Sequence, residues 1–303
     1  MKVKIKLIFF LLVVFSASNL KAKEIAISFD DAPRRLTGHF TASERAKYLI
    51  KQLNLAGVNN AVFFCNSAHI NKKNKNIIQL YNDSGFTIAN HTHSHPSFNN
   101  LNFNDYSKDF LKADKFLSQH SNFSKMFRFP YLKEGNELTK RNKMRKLLQS
   151  KGYINAYITV DFSDWHLEDL FRKSLKKGEA VDLGKLKNLY ISLAKESLEH
   201  YDSLAKKYLL RSPKHVLLLH ETDIAALFIK DLIESMRSWG WKIISSEDTY
   251  KDQISTYEIK RTLKNNPGRV GEIAIDKGPT DKLWAKSTYP KYISERYFNE
   301  VMK

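Results

Sequence analysis

Ile25-Ala26-Ile27-Ser28-Phe29-Asp30-Asp31-Ala32-Pro33 is an apolar strand pattern that runs straight into two carboxylates and a proline. Pro33 cannot extend a strand interior, so the carboxylates stand at a strand end. This strand pattern is the first of seven apolar, β-branched runs, at 24–29, 58–65, 86–90, 126–129, 153–160, 215–219 and 241–245. Helical patterns fill the intervals at 75–84, 104–120, 138–151 and 224–239. Thr41-Ala42-Ser43-Glu44 has the form of a capping box, which opens a helix through Leu55 with Gly57 as its stop. Seven strand signals separated by helices predict an α/β fold with a parallel sheet or barrel. No glycine-rich phosphate loop follows the first strand, which speaks against a nucleotide-binding doubly wound sheet.

Lys2, Lys4 and Lys6 precede an apolar run from Leu7 to Phe15 and then the small residues Ser16, Ala17 and Ser18. This reads as a secretory signal peptide over residues 1–22, too short for the roughly 20 apolar residues of a membrane span. The expectation is an exported protein, periplasmic or secreted, with no stable membrane span after cleavage. The formal charge is +18, and four of the lysines lie within residues 1–22, which leaves +14. Such a balance suits a polyanionic partner. The lysines are scattered and no recognition helix or RNA-binding aromatic motif is present, so nucleic acid is not expected. Cys65 is the single cysteine, which rules out an intrachain disulfide. Ending an apolar run, it reads as a small buried hydrophobe.

The stretch 166–211 is longer than one crossover helix needs. Leu186, Leu189, Leu193, Ser197 and Tyr201 mark a long amphipathic helix within it, an elaboration of the same domain. We therefore expect a barrel over 23–254 and a C-terminal extension over 255–303. The extension, with Tyr289, Tyr292, Tyr297 and Phe298, is expected to pack on the barrel.

Functional side chains of βα-barrels gather at the carboxyl ends of strands. Five groups occupy such places: Asp30 and Asp31, His91 and His95, Arg128, Asp161 and Asp164, and His220. Alone, an Asp-Asp-Ala-Pro sequence would be a turn, and His91-Thr92-His93-Ser94-His95 an exposed loop. Together they are the parts of a metal site, because two imidazoles and one carboxylate with an open position form a hydrolytic zinc arrangement. His91 and His95 lie four apart, which on a helical turn puts both on one face and turns His93 elsewhere. Adjacent Asp30 and Asp31 diverge at a strand end, which suits one metal ligand and one proton acceptor rather than a glycosidase pair.

Ser28-Phe29-Asp30-Asp31-Ala32-Pro33, His91-Thr92-His93-Ser94-His95, Arg128-Phe129-Pro130-Tyr131, Asp161-Phe162-Ser163-Asp164-Trp165 and Leu217-Leu218-Leu219-His220 resemble, in order, the five motifs of the NodB-type polysaccharide deacetylases, the fourth carbohydrate esterase family. The resemblance implies a distorted (β/α)7 barrel, a divalent metal, expected to be zinc, and removal of acetyl groups from N-acetylated glycans such as peptidoglycan or chitin-type oligosaccharides. It further implies Asp31, His91 and His95 as metal ligands, Asp30 as general base and His220 as general acid. Arg128 would orient the base, and Asp164 would keep His220 protonated. Tyr131 would offer its N–H to the oxyanion, and Trp165 and Leu218 would wall the acetyl pocket. His93 is then a groove-wall or substrate-contact residue. Ala32 stands where relatives usually have glycine, His93 where an aromatic is frequent, and Glu221 where aspartate is frequent. None of these removes a reacting group. Two other readings keep the barrel: hydrolysis of a different amide or of O-acetyl esters, and a non-catalytic glycan-binding protein.

Overall fold

The computed structural model describes residues 22–35, 37–70, 76–278 and 282–302. The segment expected to be a signal peptide lies outside the described residues up to residue 21. The strands are β1 Lys23–Ala32, β2 Val62–Cys65, β3 Thr87–Asn90, β4 Phe123–Phe127, β5 Ile154–Asn155, β6 His215–His220 and β7 Trp241–Ile243. The helices are α1 Ala42–Leu55, α2 Ile77–Asp83, α3 Phe103–Leu117, α4 Leu138–Ser150, α5 Asp164–Lys176, α6 Leu183–Leu209, α7 Asp223–Ser238, α8 Ser246–Thr249, α9 Gly268–Lys277 and α10 Pro290–Arg296. Thr41 caps α1 through the expected box with Glu44, and Gly57 takes a left-handed φ of 63° just past its end.

All strand pairs are parallel and the order is β5-β4-β3-β2-β1-β6, with β7 also on β1. Ile25 pairs with both His215 of β6 and Ile243 of β7, so β7 shares the β2 edge of β1. The run 153–160, expected as one strand, pairs only in two places. Residues 154–155 extend β4, and Val160 bridges to Leu217 on the far edge of β6. Five residues span at most about 18 Å, so the sheet has curled until its two edges nearly meet. A segment serving two edges cannot ladder fully with either. The fold is a distorted (β/α)7 barrel.

Period-two alternation divides the strands into two faces. Val62, Phe64, Ala89, Met126, Val216 and Leu218 form an interior cluster, closed by Tyr250, Ile254 and Ile273. Ile25, Ile27, Phe29, Phe63, Cys65, Leu217 and Leu219 face the helices in the larger cluster. Ser28 and Asp30 therefore share the interior face with Val216 and Leu218. The stretch 166–211 resolves into two helices rather than one. The expected residues Leu186, Leu189, Leu193, Ser197 and Tyr201 are all buried on α6. Residues near the C-terminus pack on α5 and α6: Ser163 Oγ donates to Thr288 O at 3.0 Å, and Arg296 reaches Glu196 at 2.5 Å. Of the four aromatics expected to pack there, Tyr297 is fully buried, while Tyr289 and Phe298 remain half exposed. Among the described residues no helix is long and apolar enough to cross a membrane.

Candidate active site

Strand register brings the first two reacting groups together. Asp30 pairs with His220 across β1 and β6, and both project into the interior at its carboxyl end. Asp30 is 3% exposed, and burying a carboxylate is unfavourable without partners. Arg128 supplies one: its Nη1 donates to Asp30 Oδ1 at 2.7 Å and to Ser28 Oγ at 2.8 Å. Arg128 is itself fixed by Ala156 O at 3.0 Å, Tyr250 Oη at 3.2 Å, and the Phe64 ring 4.0 Å beneath its guanidinium.

Asp31 Oδ1 lies 3.1 Å from His95 Nε2 and 3.7 Å from His91 Nε2. One donor atom from each of Asp31, His91 and His95 fits within 4.8 Å of the others. His91 Nδ1 lies 2.8 Å from the Arg128 carbonyl; a carbonyl only accepts, so Nδ1 carries a hydrogen, and Nε2 is the ring nitrogen turned to the carboxylates. Burial, with the neighbouring imidazoles, pushes His95 down to about 4, which leaves it neutral at pH 7. Burial would raise Asp31, but His220, His95 and His91 overcome it and hold the carboxyl at about 2. Its Oδ1 is buried without a hydrogen-bond donor. An ionised oxygen without a hydrogen-bond donor, facing two imidazole Nε2 atoms, fits a divalent cation. The donor set of two imidazoles and one carboxylate suits zinc.

The helical turn expected at 91–95 is not formed. Thr92 and His95 have φ of 70° and 59°, and side chains shape the loop instead. Thr92 N–H donates to Asn90 Oδ1, His95 N–H to Thr92 Oγ1, and the His93 and Ser94 N–H groups to Asp109 Oδ1. These local acceptors outcompete the helical ladder, yet the loop still sets the His91 and His95 rings 5.0 Å apart. Six of the seven described non-glycine residues with positive φ follow the strands that carry the site: Asp31, Thr92, His95, Tyr131, Leu132 and Ser163. Backbone held in this region is costly and concentrates at functional sites.

His220 is clamped from behind. Asp164, in the first turn of α5, accepts from His220 Nδ1 at 2.7 Å and from its N–H at 2.8 Å. Burial would lower this imidazole, but Asp164 and then Asp31 and Asp30 raise it to about 9. It is an imidazolium at neutral pH with Nε2 left for the interior. Burial pushes the neighbouring Asp161 up to about 6, and its Oδ1 accepts from Ser163 N–H.

Asp30, Asp31, His91, His95, Arg128, Asp164 and His220 are thus one constellation. Leu218 lies two residues below His220 on the same interior face. Tyr131 is exposed, its ring edge-on to His95 at 4.5 Å. Trp165 is 42% exposed and meets His166 edge-on. His93 is turned from the three-donor cluster towards Ser67, whose Oγ is 2.8 Å from Nδ1. Sequence reasoning missed Ser28, although it alternates with Asp30 and was legible as the same face. It also missed Tyr250 and the buried group around Arg45, which no local pattern announces. Arg45 Nη1 meets Asp223 Oδ1 at 3.1 Å and its Nε lies 3.5 Å from Glu221 Oε2. Glu221 accepts from Tyr81 Oη and from Arg34 N–H, and Asp223 from His39 N–H. The Glu221 side chain therefore points to the helices, away from the reacting groups, while its N–H donates to Asp30 O.

Residues 17–153 match the polysaccharide deacetylase family. This match covers the motifs through Arg128 and Tyr131 and stops before Asp164 and His220. The chain is 32% identical over 152 residues to a peptidoglycan-N-acetylglucosamine deacetylase of Bacillus cereus, covering 50% of this chain and 49% of that one. It thus spans about half the length of that curated relative. Among solved structures, the Bc1960 peptidoglycan N-acetylglucosamine deacetylase superimposes with a TM-score of 0.52 at 20% identity, covering 81% of this chain and 92% of that one. A family 4 carbohydrate esterase from Streptomyces lividans gives 0.50 at 15% identity, covering 80% and 98%. The fold is also shared with a protein described as a family pseudoenzyme from Bacillus anthracis, at 0.52 and 15% identity over 76% of this chain and 66% of that one. Fold alone therefore does not carry activity. Residues 17–153 thus match the polysaccharide deacetylase family, and the barrel as a whole has the fold of these family 4 carbohydrate esterase structures.

Proposed function

We propose that this chain is an exported, metal-dependent hydrolase that removes acetyl groups from N-acetylated glycans, with peptidoglycan or a chitin-type oligosaccharide as substrate class. The supporting observation is the placement of Asp30 and His220 on adjacent, in-register strands beside the Asp31, His91 and His95 donors. Asp31, His91 and His95 would hold the metal, which when bound polarises a carbonyl and acidifies water. Asp30, held by Arg128, accepts the proton of the attacking water. The Tyr131 N–H is assigned to the developing oxyanion, where such a donor contributes a few kcal/mol. His220 donates its proton to the departing amine. Leu218 and Trp165 are assigned to the acetyl pocket.

The clamp on His220 favours an amide over an ester, because an alkoxide leaves without prior protonation more readily than an amine anion. Export rests on the charge and apolar pattern of residues 1–22. The substrate class draws support from the name of the Bacillus cereus relative.

The test is acetate release from peptidoglycan, chitooligosaccharides and acetylated xylan, with and without chelator. The expected result is chelator-sensitive release from an N-acetylated polymer. Asp30→Asn should retain zinc while losing roughly 10²- to 10⁴-fold in rate, the size of a general-base contribution. Equal acetate release from zinc-loaded Asp30→Asn and wild type would remove Asp30 from its role. No release from any polymer would remove the deacetylase reading.

A further inference from the structure

Beside the constellation lie two adjoining depressions of about 410 and 570 Å³ that share Asn99, Asn100 and Asn136. The loops that follow His95 and Tyr131 supply Asn99, Asn100, Lys133 and Asn136, while α4 supplies Lys140 and Lys143 and the later chain supplies Thr262 and Lys264. Asn99 stands four residues past His95. Lys133 stands two past Tyr131, with its ammonium 5.9 Å from the Tyr131 ring, which itself touches His95. The charge of this groove is one-sided. Lys133, Lys140, Lys143 and Lys264 line it against the single acid Glu137. Nearby carboxylates are engaged elsewhere, Glu134 with Arg145 and Asp276 with Arg261. Lys140 ties down the loop by donating to Leu101 O at 3.0 Å, which leaves its charge uncompensated.

We propose that this groove binds the anionic continuation of the glycan strand whose acetyl group is removed, a carboxylate-bearing polymer of the peptidoglycan kind rather than a neutral chitin-like one. The inference rests on the deacetylase reading above and narrows its substrate. Three asparagines supply paired donors and acceptors for hydroxyl and amide groups, and the lysines supply charge for carboxylates. Phe103, half-buried at the start of α3, is the single aromatic of the lining, so no row of rings offers the platform on which successive nucleic-acid bases stack. It also lacks the broad apolar face of a membrane-surface helix.

The test measures binding separately from turnover. Wild type and the triple variant K133Q/K143Q/K264Q are cosedimented with acetylated peptidoglycan and with chitin, at low and at physiological ionic strength. None of the three lysines belongs to the constellation, and Lys140 is kept because it holds its loop. The expected outcome is a loss of roughly tenfold in peptidoglycan binding, as three exposed ion contacts provide, with chitin binding unchanged. The wild-type advantage should also shrink with salt, since charges beyond about 8 Å are screened at physiological strength. Equal peptidoglycan binding by both proteins overturns the proposal, as does a parallel loss on chitin. Binding of wild type to anionic phospholipid vesicles as tight as to peptidoglycan overturns it too. Acetate release is followed in the same samples. Release without charge-dependent binding removes the groove and keeps the deacetylase; charge-dependent binding without release does the reverse.

Discussion

Arg128 acts at both ends. Its guanidinium fixes Asp30, and its carbonyl accepts from the His91 ring, so one residue couples Asp30 to the three-donor cluster. The Asp164–His220 pair has the same economy, since two hydrogen bonds to one carboxylate fix both the orientation and the charge of the imidazole. Its consequence is a pH limb. His220 is raised to about 9, so the acid form is populated through neutral pH and lost as pH rises through that value. In Asp164→Asn the amide holds the ring without the charge, and the limb falls towards the ordinary 6.5 of histidine. At pH 8 the protonated fraction then drops roughly thirtyfold, while at pH 6 most of it remains. A pH–rate profile of acetate release checks this; an alkaline limb that stays near 9 in the variant would take Asp164 out of the role. These reacting residues were legible because each ends a strand signal. Tyr250, which closes the Arg128 cradle, lies past β7 and nothing local announces it.

At the scale of elements, the loops rather than the strands decide geometry. The loop after Asp31 is fastened to the corner after His220, because Glu221 accepts from Arg34 N–H and Asp223 from His39 N–H. Gly38 is required there: an added Cβ would come within 2.7 Å of Asp223 Oδ2 and 2.9 Å of Arg172 Cγ. Arg45 of α1 neutralises the two acids, all three groups being buried. Arg45→Met should therefore cost about 3–5 kcal/mol, because it leaves buried carboxylates uncompensated. Glu221→Gln should cost less, since the amide oxygen can still accept from Arg34 N–H. Urea unfolding of the two variants measures the difference; equal and small losses would show that the group is not structural. Histidine spacing predicted the union of His91 and His95 but assigned the wrong backbone to it. Spacing is blind to Asn90 and Asp109, whose side chains take the N–H groups that a helix would have used.

For the whole molecule, closure of the barrel is the event that assembles the site. Residues 156–160 cross from the β4 edge to the β6 edge and deliver α5, with Asp164 at its head, behind His220. The C-terminal residues brace this arrangement from outside. Tyr297, Ile293 and Val301 lie in the main core, and His166 on α5 meets Ser294 Oγ at 2.9 Å. Tyr297→Ala should then destabilise the chain by about 3–5 kcal/mol within one cooperative transition, as a core aromatic truncation does. A separate early transition in calorimetry would show instead that the tail melts independently. The sequence by itself determined the alternation of seven strands with helices and which strand ends bear reactive side chains, because periodicity and capping are local properties of the chain. The tertiary structure alone decided that Asp30 faces His220, that a broken strand closes the sheet, and that Arg45 and Tyr250 hold the loops in place. Those are contacts between residues about 60 to 190 positions apart, and only the curl and register of the sheet bring them within bonding distance.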